Sequence, residues 1–299
     1  METEKHLAVL RLGRLGDLVM VEPALRWAAA CPGLRVTLVT EPHYAEVFAG
    51  LFRGVAVQTQ VPQCDLVLDL HRVAASRKLR RGHPWLGVGK EDLRRRLTVH
   101  APGLGLRPRS TWPERHLLAM ARAFEFLGLR PGPRPAPRPR FDHPGERLPN
   151  RLGLCLGAGW ANKRWPGSRW EELAGQWRGE VVAFVGPGEE ELAQAAGLTP
   201  WSDLSLGALV DGLASCSVVV GGDTGPLHLA GALGCRVVGL FGPTSPETGF
   251  WVWGAQGKAL QAQDVRCSPC SLHGSDRCPR GHHRCLAELD SQQVLEALH

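Results

Sequence analysis

Between residues 218 and 243 the chain runs through an apolar strand, a glycine turn, a short helix and a second apolar strand. Few folds accommodate that order. Val218, Val219 and Val220 make the short apolar run expected of a strand buried on both faces of a parallel sheet. Gly221 and Gly222 end it, and Asp223, Thr224, Gly225 and Pro226 open a helix, since Asp or Thr suits the N-cap and proline the first turn. The helix over 226–233 stops at Gly234, and residues 236–241 form the next buried strand, closed by Gly242 and Pro243. This succession places backbone N–H groups and the positive end of a helix dipole at the carboxyl edge of a parallel sheet, which suits a phosphate. His228 lies one helical turn beyond Thr224 and can face the same anion. A well-capped βαβ unit that binds nothing is the bland alternative.

The same alternation runs through the rest of the chain. Residues 7–12 read as a first strand, 13–17 as a turn and 18–30 as a helix with Pro23 near its start. Strands follow over 35–40, 55–61 and 65–70, with a short helix after Pro42, a basic helix over 74–81 and a longer one over 112–127 whose apolar residues recur at helical spacing. Residues 130–149 then change character. Their Pro/Arg run supports neither helix nor sheet ladder and reads as an extended linker, which puts a domain boundary near residue 150. Beyond it, strands over 152–156 and 181–185 alternate with helices over 168–177, from 188, and over 206–214, and a tail helix over 289–298 is placed to cross back to the first domain. The fold class is therefore α/β, with two Rossmann-like, doubly wound parallel-sheet domains, 1–149 and 150–299.

Asp17 sits in the first strand-to-helix turn, where a helix N-cap is its ordinary role. Lys163 follows the loop Gly157, Ala158, Gly159 and precedes Trp165 and Pro166, so its ammonium stands beside a glycine turn. Glu190 follows the next strand and can reach a ribose diol, with Glu189 nearly as well placed.

Two stretches resemble glycosyltransferase family 9, the ADP-heptose:lipopolysaccharide heptosyltransferases. One is GGDTGPLHLAGALGCRVVGLFGPTSP and the other is RLGRLGDLVMVEPAL. The resemblance implies a GT-B arrangement with the active site in the cleft between the domains, the first domain serving the acceptor and the second the nucleotide-sugar. It implies an inverting transfer of heptose, or a similar sugar, from an ADP-sugar to a glycan or glycolipid acceptor of the lipopolysaccharide-core type. In that frame Asp17 matches the family's general base. Lys163, Glu190, Leu204, Asp223, Thr224, Gly225 and His228 match donor-binding positions, Leu204 through a loop that flanks the adenine. No cofactor is implied for catalysis, and the sequence offers no D-x-D pair to hold a divalent ion. His71, Arg72, Arg77 and Lys78 are candidates to face an anionic acceptor, although a solvated basic helix accounts for them as well.

Three other functions compete. Gly13 and Gly16 with Glu41 make half of a dinucleotide fingerprint, which would mean a nicotinamide-dependent oxidoreductase, but Arg11 stands where its first glycine belongs. A non-catalytic nucleotide-sugar-binding protein and a sugar epimerase of similar fold are the others.

Of the 35 basic residues 30 are arginine, isoleucine is absent, and the net charge is +6. The arginines are scattered rather than clustered, which disfavours nucleic acid and leaves an acidic substrate or an anionic membrane surface as partners. No apolar run is long enough to span a membrane, and no basic-then-apolar leader opens the chain. The expected location is the cytoplasm, with peripheral contact at the inner membrane's cytoplasmic face. Nine cysteines divide into five single, core-type residues and a cluster, Cys267, Cys270, Cys278 and Cys285. That cluster has the ligand count of a tetrahedral structural zinc or iron site, and disulfides, free thiols and an iron–sulfur cluster compete with it.

Overall fold

A computed structural model describes residues 4–201, 205–250 and 257–298. The chain divides into two compact units, residues 1–90 with 110–142 and residues 91–109 with 143–299. The Pro/Arg stretch in the sequence predicts one boundary, near residue 150.

The first unit is built on β1 (Lys5–Leu10), α1 (Leu15–Met20), α2 (Glu22–Ala29), β2 (Leu34–Val39), α3 (Pro42–Leu51), β3 (Ala56–Gln58), β4 (Leu66–Asp69), α4 (Ala74–Leu79) and β5 (Trp85–Gly87). α5 (Asp92–His100) belongs to the second unit, where Arg95 Nε donates to the Thr248 carbonyl at 3.2 Å, and α6 (Trp112–Leu127) returns to the first. The five strands are parallel in the order β3-β2-β1-β4-β5. Leu7, Leu10, Leu38, Leu66 and Leu68 are fully buried along its centre. The helix expected over 18–30 is broken at Val21, because Pro23 starts a new helix rather than continuing one. α6 keeps its expected bounds. Its start is set by Thr111, whose N–H and hydroxyl both meet Glu114 (2.6 and 2.9 Å), and Gly128 in the left-handed region ends it.

The Pro/Arg stretch is strapped to this unit. Trp27 Nε1 donates to the Gly132 carbonyl at 2.9 Å, the Arg140 N–H donates to Glu22 at 2.9 Å, and Phe141 packs edge-on against Phe48 and Phe52. Glu22 is buried, which pushes its carboxyl up, while Arg26 and the Arg140 N–H favour its charged form.

The second unit continues with β6 (Leu148–Cys155), α7 (Gly167–Gln176), β7 (Val181–Phe184), α8 (Glu190–Gln194), β8 (Pro200–Trp201), α9 (Leu206–Ala214), β9 (Cys216–Gly222), α10 (Gly225–Ala232), β10 (Arg236–Phe241), β11 (Lys258–Gln261), α11 (Arg284–Ala287) and α12 (Ser291–Ala297). Its six parallel strands run β11-β10-β9-β6-β7-β8. The chain thus winds outward from β6 in one direction and from β9 in the other, which makes the β6/β9 junction the topological switch point. Doubly wound parallel sheets in both halves are what the alternating sequence pattern predicts. The tail helix corrects an expectation: α12 packs against α7 in its own unit, and Val294 and Leu298 are buried there beside Leu289 and Trp165. β5, α5, β8, β11 and α11 are elements the sequence pattern did not show.

Candidate functional site

Two loci carry the predicted residues, one in each unit. In the second, the loop after β6 and the turn after β9 meet at the switch point. Asp223 and Thr224 follow β9, and Thr224 is the N-cap of α10 in extended conformation. The first-turn N–H groups of α10 have no acceptor within the helix. Across the junction, a 3₁₀ turn Ala161–Lys163 presents Lys163. Its Nζ donates to Asp223 Oδ2 at 3.0 Å, and His228 Nε2 lies 3.4 Å from Asp223 Oδ1. The lysine and aspartate side chains are each 11% exposed and the histidine 4%. Burial alone would favour the neutral Asp223 carboxyl, but Lys163 and His228 outweigh it and hold the group well below the usual carboxylate range. Asp223 is therefore charged, with a cation on one oxygen and an imidazole on the other.

Two polar atoms here lack a hydrogen-bond partner among the described residues, the buried Thr224 Oγ1 and His228 Nδ1. Buried polar atoms are rarely left unsatisfied. With the ammonium and the helix N-terminus, they suit an anionic, hydrogen-bonding ligand.

The two acidic candidates separate. Glu189, not Glu190, turns back to the glycine loop: it pairs with Arg164 at 2.6 Å and accepts from the Gly186 N–H at 3.0 Å. Arg164 in turn donates to the Ala158 carbonyl at 3.2 Å. Glu190 accepts from the Gly188 N–H at 3.3 Å in the first turn of α8. Leu204 lies outside the described residues.

In the first unit, Asp17 is the third residue of α1, and Arg14 holds the N-cap position. Asp17 therefore caps the helix from its third position, as the capping-box acid, rather than as the N-cap residue itself. The Asp17 carboxylate reaches back to the Arg14 N–H at 3.4 Å and forms a close ion pair with Arg11. Arg11 is itself buried, and its Nη1 donates to the Leu70 carbonyl at 3.0 Å. Burial, helped by Arg11, pushes the neighbouring His71 down to about 4, and burial does the same to His116, so both are neutral near pH 7. Asp69 ends β4 and fixes the next turn, accepting from the His71 and Arg72 N–H groups at 3.0 and 2.7 Å and from Ser76 Oγ at 2.9 Å. Arg72 is engaged with the Val88 carbonyl at 2.8 Å, while Arg77 and Lys78 stand exposed in the last turn of α4.

The four clustered cysteines lie in one region of the second unit. Burial first, and then the other three thiols, push Cys285 up to about 12. Cys267 Sγ is 3.7 Å from His282 Nε2. Among the described residues no three such side chains stand together at metal-binding separation. The remaining cysteines are free and mostly buried, as core thiols should be.

Arg11 beside Asp17, Arg164 beside Glu189, and Asn162, next to Lys163 and bonded to Ser275 Oγ at 2.8 Å, stand at these loci although the sequence does not single them out. In sequence Arg11 shows only as the residue standing where a dinucleotide fingerprint has glycine, and the one signal for Asn162 is its place beside Lys163.

The sequence pattern of "Glycosyltransferase family 9 (heptosyltransferase)" matches residues 95–277. Lipooligosaccharide heptosyltransferase 2 of Campylobacter jejuni is 28% identical over 163 residues, 49% of this chain and 50% of that protein, so the chain spans about half of that relative's length. Lipopolysaccharide heptosyltransferase 1 of Pseudomonas aeruginosa is 27% identical over 345 aligned residues, covering 97% of this chain and 93% of its own. Among solved structures, the E. coli heptosyltransferase WaaC with ADP superposes with a TM-score of 0.72 at 18% identity over 98% of both chains, a likeness of GT-B fold. Nothing in these matches supports a nicotinamide-dependent oxidoreductase. With its family pattern spanning more than half its length, the chain belongs to glycosyltransferase family 9, the heptosyltransferases.

Proposed function

We propose that the protein transfers a heptose, or a similar sugar, from an ADP-sugar to an anionic glycan or glycolipid acceptor of the lipopolysaccharide-core type, with inversion at the anomeric carbon. The observation that carries this is the buried Lys163, Asp223 and His228 constellation at the N-terminus of α10, where a diphosphate finds a cation, oriented N–H groups and two unsatisfied polar atoms.

Asp17 takes the proton of the acceptor hydroxyl as that oxygen bonds to the anomeric carbon. The bond from that carbon to the diphosphate breaks, and ADP departs with the electron pair. Lys163, His228 and the N–H groups at Thr224 and Gly225 stabilise the charge that grows on the leaving phosphate. One such donor contributes about 3–4 kcal/mol in comparable sites. Glu190 or Glu189 meets the ribose, and Leu204 the adenine. Catalysis proceeds without a metal cofactor.

The exposed Arg77 and Lys78 suit an anionic acceptor, and the location proposed with it is the cytoplasm, or the cytoplasmic face of the inner membrane. No helix among the described residues is long and apolar enough to cross a membrane. The count and spacing of Cys267, Cys270, Cys278 and Cys285 in the sequence support one addition, a structural zinc or iron that takes no part in the transfer, although among the described residues no three such side chains stand at metal-binding separation.

ADP and AMP binding test the donor site. ADP should stabilise the protein more than AMP does at equal concentration; at a hundredfold excess over its dissociation constant ADP adds about 2.7 kcal/mol over the ligand-free protein. Lys163→Ala should erase most of the difference. Equal stabilisation by both nucleotides would remove the diphosphate site.

A further inference from the structure

Asn162 immediately precedes Lys163, is buried, and is bonded to the cysteine-rich segment at every polar group recorded for it. Its Nδ2 donates to Ser275 Oγ at 2.8 Å, its Oδ1 accepts from the Ser275 N–H at 2.9 Å, and its own N–H donates to the Ser275 carbonyl at 3.2 Å. The Asn162 carbonyl lies 2.7 Å from His283 Nε2, and because a carbonyl only accepts, that nitrogen carries the proton. Next to Ser275, Gly274 has φ +101°, and a Cβ there would stand 2.8 Å from both Lys163 Cδ and Trp160 Cβ. The lysine stem therefore rests on this glycine. A Cβ on Gly222 would stand 2.9 Å from the Lys163 carbonyl, so the end of β9 closes on the same residue.

The segment is itself held at β10. The Cys270 and Ser271 N–H groups donate to the Pro243 carbonyl at 2.9 and 2.8 Å, and Ser268 Oγ donates to the Gly242 carbonyl at 2.6 Å. Ser271 Oγ accepts from the Gly274 N–H at 2.9 Å and fixes the tip. A flexible lysine loses most of its rotamer freedom only when its stem and backbone are both confined. Here the backbone is confined through Asn162 and the stem through Gly274, and the ammonium is left to Asp223.

We propose that Asn162, Gly274 and Ser275 are positioning residues for Lys163, so that the stretch between Cys270 and Cys278 is a working part of the donor site. The proposal rests on the reading of Lys163 as the diphosphate ligand. Its distinguishing consequence is selectivity, because an element that acts only through Lys163 affects ADP and leaves AMP nearly untouched.

The test is calorimetric titration of the whole protein with ADP and with AMP, in parent, Ser275→Ala, Gly274→Ala and Lys163→Met chains and in the Ser275→Ala/Lys163→Met double variant. Ser275→Ala should weaken ADP about fivefold, the net worth of one hydrogen bond, with AMP unchanged and Ser275→Thr restoring affinity. Gly274→Ala reaches the same end through the lysine stem, so it serves if Ser275→Ala does not fold. In the Lys163→Met background Ser275→Ala should have no further effect. The proposal is overturned if Ser275→Ala and Gly274→Ala weaken both nucleotides equally or neither, or if the loss persists without Lys163. If Lys163→Met itself leaves the ADP/AMP ratio at the parent value, the donor site falls and this inference falls with it. If Lys163→Met collapses that ratio while the two loop variants do not change it, only the positioning role is lost.

Discussion

Replacing Lys163 by Met removes the cation that faces Asp223 and leaves a carboxylate with 11% exposure to fold without it. At 3.0 Å, two unit charges in surroundings of effective dielectric about 20 attract by about 5 kcal/mol, part of which only offsets the loss of their hydration. Removing one partner from such a pair costs about 3–5 kcal/mol, because the other charge is stranded. His228 remains 3.4 Å from Asp223, so the lower end, about 3 kcal/mol, is the expected loss for Lys163→Met. The double variant Lys163→Met/Asp223→Asn removes the stranded charge and should recover most of it. Urea unfolding at pH 7 reads both values, followed by the fluorescence of Trp165 and Trp170, which pack edge-to-face in the core of this unit. The pH dependence has a definite sign. The folded Asp223 carboxyl lies below its ordinary value of 3.8, so its contribution is complete above that pH and is lost as pH falls further. The gap between parent and Lys163→Met should therefore close in acid. A single variant within about 0.5 kcal/mol of the parent, or a double variant no better than the single, would refute the buried-pair reading.

Asp17→Asn keeps the shape and part of the Arg11 contact but cannot accept a proton, so turnover should fall about 100- to 10,000-fold while ADP binding survives; transfer at the parent rate would leave Asp17 a first-turn acid. His116 gives a second pH effect. Burial holds it at about 4 against an ordinary 6.5, so its contribution is complete above 6.5 and is lost as pH falls towards 4. The parent should therefore lose about 2 kcal/mol more than His116→Gln between pH 7 and pH 5, and equal acid sensitivity in urea would reject this. Metal analysis of protein purified without chelator should find zinc or iron at the four cysteines, and less than about a tenth of an equivalent would exclude the site.

Much of the second unit is legible in the sequence because its signals are local. Val218 to Val220 need no partner to read as a buried strand, and Thr224 with Pro226 reads as a helix start from adjacent residues alone. α6 was exact for the same reason: Thr111, Glu114 and Gly128 set its ends within a few residues. The break at Val21 was missed because an apolar run on either side of Pro23 matches one helix as well as two. β5, β8 and β11, of three, two and four residues, are too short to impose a period. The strap over 130–142 could be recognised as extended, but its attachment to Trp27 and Glu22 spans more than a hundred residues. Asn162 and Ser275 are 113 residues apart, and nothing in either neighbourhood names the other. Glu189 and Glu190 are equivalent in sequence, and it is Arg164, folded back from the preceding loop, that separates them.

The charges at the switch point also bear on what Asp223 would do for the proposed donor. A diphosphate beside a bare carboxylate would be repelled, yet the carboxylate here has Lys163 on one oxygen and His228 on the other. Its lone pairs in those directions are spent on orienting two groups that can each carry positive charge. The ammonium and the imidazole keep hydrogen-bonding capacity beyond Asp223, Lys163 through its remaining N–H bonds and His228 through Nδ1, which has no partner among the described residues. On the proposed function, Asp223 would serve the donor through its two neighbours, Lys163 and His228. The N–H groups at the head of α10 then add positive potential without adding a titratable group. Pairing with Lys163 and His228 would let the proposed site keep this carboxylate where a diphosphate brings further negative charge. It also makes Lys163 the residue on which strand β9, the 3₁₀ turn and the cysteine-rich segment all converge.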